Sequence, residues 1–173
     1  MKHIVHRNQQ FYTGFSFIEL ILYVAIVSIV LLAVVPFTWN SIQSGVKSMV
    51  QQEVNGNARF VLERIKYEIR NASGINAVST TSISLATTNV ATNPTIIDLS
   101  AGKVRIKQGT GAVTNLNSAN TNVNSLTFAN FTSGDNKTKH VQISLTMAAN
   151  FAAGRQEYQD SVTLESSAEV RSN

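Results

Sequence analysis

The 173-residue sequence predicts an α+β protein, a long N-terminal helix followed by an antiparallel sheet. Three observations carry that expectation. An apolar run from Phe15 to Phe37, interrupted only by Ser16, Glu19, Ser28 and Pro36, is long enough to cross ~30 Å of hydrocarbon as a helix. Beyond it, apolar residues recur every three or four positions as far as Ala72. After Gly74 the period changes to two, the mark of strands with one buried and one wet face. The first half of the helix is therefore expected to span a membrane, and the second half to pack against the sheet.

Taken in order, residues 1–14 carry Lys2, His3, His6 and Arg7, no acid, and end on Gly14. Basic residues before an apolar span, with none directly after it, predict a cytoplasmic N-terminus and an extracytoplasmic remainder. A secretory signal peptide fits less well. Its apolar region would run only ~7–15 residues to a small-x-small site, and Ala33-Val34-Val35-Pro36 is a poor one. Glu19 is the anomaly, because a carboxylate at membrane depth needs a partner. No Lys or Arg lies between positions 8 and 46 to supply it. A break between Gly14 and Phe15 would create an α-amine four residues before Glu19, able to pair with that carboxylate or a neighbour's.

The segment Gly14-Phe15-Ser16-Phe17-Ile18-Glu19-Leu20, leading into a charge-free apolar run, resembles the N-terminal cleavage and methylation segment of type IV prepilins and type II secretion pseudopilins. The resemblance is close over residues 8 to 40 and extends to the rest only in layout. It implies a pilin-like fold and cutting by a prepilin peptidase after Gly14, with methylation of the new amine on Phe15. It further implies that Glu19 pairs with a neighbouring subunit's N-terminus during filament assembly. Pro36 matches a proline at which such helices kink or melt in the filament. The implied partners are other pilin or pseudopilin subunits, an inner-membrane assembly platform and membrane lipid. The implied location is a single-pass cytoplasmic-membrane precursor whose C-terminal domain becomes part of a surface or periplasmic filament. On this reading the chain divides into a leader (1–14), an apolar helix (15–37), its amphipathic continuation (38–74) and a β-rich domain (75–173). A minor subunit of a type IV pilus, competence pilus or type II secretion pseudopilus is expected. The alternatives are a membrane-anchored binding or adhesive protein that never polymerises, and a DNA-binding minor pilin.

In the amphipathic continuation, Ile42, Val46, Met49, Val50, Val54, Val61, Leu62, Ile65 and Ile69 form the apolar stripe. Glu63, Arg64, Lys66, Glu68 and Arg70 are expected on a solvated face, with Arg59–Glu63 and Arg64–Glu68 at i,i+4. Gly45 and Gly56 favour bends, and Gly74 is placed for a helix C-cap. Strands are expected around Ile83/Leu85, Ile97/Leu99, Val104/Ile106, Leu126/Phe128, Val141–Met147 and Val162/Leu164. Turns are expected at Asn93-Pro94, Ala101-Gly102, Gly109-Thr110-Gly111 and Ser133–Asn136, and a loop from Thr114 to Asn124. Ser, Thr and Asn make up 51 of the 173 residues and fill the wet strand positions.

Little enzymatic chemistry is legible. The chain has no cysteine, which excludes disulfide staples, thiolate metal sites and cysteine nucleophiles. His3 and His6 belong to the leader, leaving His140 alone. Glu157, Asp160, Glu165 and Glu169 lack the glycine-centred spacing of a calcium loop, and no phosphate loop follows Gly102 or Gly109. No enzyme activity, cofactor or metal is therefore expected. Lys103, Arg105 and Lys107 alternate on one strand face and Lys137 and Lys139 do likewise, a possible site for an anionic partner such as DNA. No aromatic residues interleave with them, which disfavours nucleic acid. Losing residues 1–14 lowers Lys+Arg from 14 to 12 against 10 acids, so the net charge falls from +4 to +2. Half of the basic excess is thus a topology signal.

Overall fold

A computed structural model describes residues 14–134, 138–151 and 154–171. One helix, α1, runs unbroken from Phe17 to Asn71. The strands that follow are β1 (Gly74–Val78), β2 (Ser82–Ala86), β3 (Thr95–Ser100), β4 (Lys103–Gln108), β5 (Thr114–Asn115), β6 (Thr121–Asn130), β7 (His140–Ala149) and β8 (Ser161–Glu169). All pair antiparallel in chain order, β1 to β5 in one sheet and β6 to β8 in another. The expected α+β architecture, a long helix packed against antiparallel sheet, is the one observed. The chain divides into two units, and the division falls within α1 between Ile42 and Gln43.

In the first unit every described residue is exposed. The most apolar 18-residue window of α1 has a mean hydropathy of 2.9 with none of it buried, which makes it a candidate membrane span. Two of its hydroxyls, those of Ser28 and Thr38, are satisfied within the helix. Ser28 Oγ donates to the Val24 carbonyl at 2.7 Å and Thr38 Oγ1 to that of Val34 at 2.9 Å, so neither needs water. Pro36 lacks the N–H that would bond the Leu32 carbonyl, yet α1 continues through it.

In the second unit α1 buries Val50, Val54, Ala58, Val61, Leu62, Ile65 and Ile69, a stripe with three- and four-residue spacing. These residues share one core with Ile83, Leu85, Ile97 and Val104 of the first sheet and Leu126, Val141, Ile143 and Leu145 of the second. The alternation read from the sequence is the burial pattern found, for example in β7, where Val141, Ile143, Leu145 and Met147 are all buried. Met49, which the spacing grouped with the stripe, is instead exposed, because ~100° per residue carries it off the sheet side, and Ile42, in the first unit, is exposed as well.

Three other expectations change. Gly74 does not cap α1. It opens β1 opposite Ala86, and the Ser73 amide donates to the Ala86 carbonyl at 2.9 Å. β1 has no clean alternation, since its register shifts between Ile75 and Ala77, which hid it from a period-two reading. The 114–124 stretch is only partly loop, because β5 lies at its start and β6 begins at Thr121. The Ser133–Asn136 turn lies partly outside the described residues; up to Ser133 the hairpin ladder continues, with the Ser133 amide on the Thr138 carbonyl at 3.0 Å.

The Ala101-Gly102 turn joins β3 to β4 with φ of 49° and 70° at its two central residues. Positive φ at both is the geometry whose twist matches a tight hairpin. At this positive φ, which favours glycine, a Cβ on Gly102 would fall 1.6 Å from Asn122 Oδ1 and force that side chain to move.

Glu68 departs most from its expected place. It is 6% exposed rather than on the solvated face. The i,i+4 pair does form, Arg64 Nη2 to Glu68 Oε1 at 2.7 Å, while Gln108 Nε2 of β4 lies 3.5 Å from both carboxylate oxygens. Glu63 pairs with Lys66 at 2.7 Å instead of Arg59, and that hydrogen bond holds its carboxyl below the usual range. Replacing Glu68 by alanine strands the Gln108 amide and opens a cavity. The expected loss is about 1–3 kcal/mol, read as a lower Tm in thermal denaturation.

Candidate functional site

The site implied by the N-terminal motif begins just outside the helix. Gly14, Phe15 and Ser16 are non-helical and exposed, with Phe15 at 84%. Chain neighbours aside, no described residue places an atom within 4 Å of where a Gly14 side chain would sit. Among the described residues, nothing packs on the Gly14–Phe15 bond, which lies outside the helix.

Ser16 then starts α1. Its Oγ accepts the Glu19 amide at 3.3 Å and its carbonyl accepts the Leu20 amide at 3.2 Å, the geometry of an N-cap. Ser16-x-x-Glu19 is the spacing of a capping box, and Glu19 is the acid of the first turn, where the helix dipole favours negative charge. The local signal for this cap in the sequence is the serine three residues before Glu19. No ion pair or side-chain hydrogen bond reaches the Glu19 carboxylate from any described residue. The Glu19 carboxylate thus stands in the exposed, apolar first part of α1 without a partner among the described residues.

The basic strand is disposed differently from a free cationic stripe. β4 alternates as expected, with Val104 and Ile106 buried and Lys103, Arg105 and Lys107 on the other face. Lys103 Nζ, however, donates to the backbone carbonyls of Ser118 and Thr121, each at 2.6 Å. Arg105 forms a two-bond pair with Asp98, its cross-strand neighbour on β3, which raises the guanidinium pKa further above its ordinary value. Lys107 alone of the three is exposed with no described partner. Lys139 sits just before β7, its Nζ 3.5 Å from where a Gly74 Cβ would stand, while Lys137 is outside the described residues.

Lys103 belongs to a polar fastening within the stretch expected to be loop. Asn117 is 6% exposed. Its Oδ1 accepts the Val104 amide at 3.0 Å and its Nδ2 donates to the Thr121 carbonyl at 2.9 Å. Alongside it, the Ser118 amide donates to Asn57 Oδ1 at 3.1 Å and Asn120 Nδ2 to Glu53 Oε1 at 2.9 Å, both on α1. Asparagines in a polar stretch give no warning that one is buried.

No family model, no curated protein and no solved structure matches the chain. The functional reading therefore rests on the residues themselves.

These placements separate the two lysines of β4. Lys103→Met removes two charge-assisted bonds from half-buried carbonyls, for an expected loss of about 1–3 kcal/mol. Lys107→Met should leave stability unchanged within about 0.5 kcal/mol. Parallel urea denaturation of the two variants measures the difference.

Proposed function

We propose that the chain is a minor pilin or pseudopilin, a structural subunit of a type IV, competence or type II secretion filament. A prepilin peptidase would process it after Gly14, and its N-terminal helix would carry it into the filament. The observation that carries this reading is the combination at the start of α1. A Gly14–Phe15 bond on which no described residue packs, a Ser16 cap, a Glu19 carboxylate without a described partner and the exposed apolar first part of α1 occur within one contiguous segment.

Each part has a physical role in that reading. Cleavage after Gly14 leaves the α-amine of Phe15 one helical turn from Glu19. In a precursor the apolar helix is held by lipid with its basic leader in the cytoplasm. In a filament neighbouring helices replace the lipid, and a neighbour's α-amine meets Glu19. An unpaired charge in that apolar setting is costly, so the pair would select one register among several of similar packing. Methylation of Phe15 keeps the amine cationic. Exposed Met49, Phe60 and Tyr67, which share one side of α1 away from the buried stripe, offer further surface for a neighbouring subunit.

A DNA-binding role draws less support, since Lys103 and Arg105 are already engaged within the fold.

Mass spectrometry of the membrane-extracted protein, from cells that contain the peptidase, tests the proposal. The expected N-terminus is a singly methylated Phe15, and an intact Met1 would sink the reading. The Glu19→Ala variant should be cut at the same bond yet be missing from sheared filaments. Normal incorporation of that variant would leave processing in place and remove the proposed pairing. Correct processing with no filament at all would favour the anchored, non-polymerising alternative.

A further inference from the structure

The edges of the two sheets are not equally protected. β1 is five residues long with a register shift, and β5 has two residues. The outer edge of β6 is occupied, its Val123 and Phe128 amides donating to the Gly102 and Thr80 carbonyls, each at 2.9 Å. β8 is nine residues long, pairs with β7 without a shift, and ends the second sheet. It contains no proline and no lysine, two of the usual devices that blunt an edge.

The register shows which of its backbone groups are unpaired. The Ala149 amide donates to the Asp160 carbonyl at 2.9 Å, and at the other end the Val170 amide donates to the Lys139 carbonyl at 3.0 Å. Both fall on the β7–β8 register. Hydrogen-bonded pairs alternate along an antiparallel ladder, so Val162, Leu164, Ser166 and Ala168 point their N–H and C=O at β7. Ser161, Thr163, Glu165, Ser167 and Glu169 point theirs away from it. These five are all exposed, and no backbone or side-chain hydrogen bond from a described residue reaches their main chain.

The side chains along this edge narrow what could cover it. The outward face of the second sheet carries His140, Glu165 and Glu169 as its titratable groups, with no Lys or Arg among the described residues. Glu165 and Glu169 are two pleats apart on that face. Self-pairing of two β8 strands centred on Glu165 would set like charges opposite each other, which is unfavourable. On the inner face Val162 and Leu164 are only half-buried.

We infer that the β8 edge accepts an extended strand from another polypeptide. That strand presents Lys or Arg at positions four apart, opposite Glu165 and Glu169, and apolar residues on the alternate positions to complete the cover of Val162 and Leu164. Main-chain bonds to the five N–H and C=O pairs that no described residue reaches supply affinity, and the two glutamates set the charge preference. This inference is independent of the filament reading, since it needs neither processing nor polymerisation.

The test uses the full chain in detergent micelles and a blocked nonapeptide of alternating Lys and Val, with the Glu/Val counterpart as control. Hydrogen exchange is followed by mass spectrometry. The Lys peptide should slow exchange within residues 161–169 and nowhere else, and the Glu peptide should not. The Glu165→Lys/Glu169→Lys variant, altered only at exposed positions, should lose about tenfold in affinity for the Lys peptide and gain for the Glu peptide. Absence of protection at saturating peptide, protection elsewhere, or equal binding by the variant would overturn the inference. Protection of β8 that rises with protein concentration alone would assign the edge to a second copy and equally overturn it.

Discussion

Water is a poor solvent for the first unit of this chain, and the rest of its behaviour follows from that constraint. Phe15 through Ile42 is a run of mostly large apolar side chains, all of them exposed. Fully burying one such side chain is worth about 1.5–3 kcal/mol. A run of them therefore outweighs the ~5–15 kcal/mol that holds an entire domain together. The segment must be covered by lipid or by other helices. Its internal details suit that fate, since its backbone is helical and its Ser28 and Thr38 hydroxyls bond to their own helix. Glu19 is the one charged group in this stretch, and it sits at the capped end, where an interface or a cation can reach it.

The second unit solves the opposite problem, holding a polar, loop-rich sheet against the same helix. Its apolar core supplies most of the cohesion, but three polar contacts set how the pieces register. Glu68 links α1 to Gln108 of β4, Glu53 and Asn57 hold the 116–121 loop, and Lys103 closes that loop from beneath. Each uses a charge or amide that would be expected in solvent on composition alone. Two of the three basic side chains of β4, Lys103 and Arg105, are thereby engaged within the fold, while Lys107 stays exposed.

Much of the fold was legible because periodicity reports burial directly. The change from a 3.6-residue to a two-residue period near Gly74 located the helix end within a few residues, and alternation located six strands. β1 escaped because its register shift breaks the alternation, and β5 because two residues carry no period. The N-terminal motif was legible as chemistry, from an acid without a base in an apolar run, while its Ser16 cap went unread. Buried Glu68 and Asn117 could not have been placed from their types. Their partners, Gln108 at a separation of 40 residues and Val104 at 13, are brought near only by the sheet. The free edge of β8 is likewise a property of strand order, which no local pattern encodes.

The absence of cysteine makes the central claim, a covered apolar helix bearing an extracytoplasmic head, open to a clean measurement. Single cysteines at Ser28, within the apolar segment, and at exposed Thr110, in the β4–β5 turn, can be probed in intact cells with a membrane-impermeant maleimide. With the outer envelope permeabilised, the account predicts rapid labelling at Thr110→Cys. It predicts none at Ser28→Cys until detergent removes the lipid. Equal labelling at both positions, or labelling at Thr110→Cys only after the cytoplasmic membrane is broken, would contradict it.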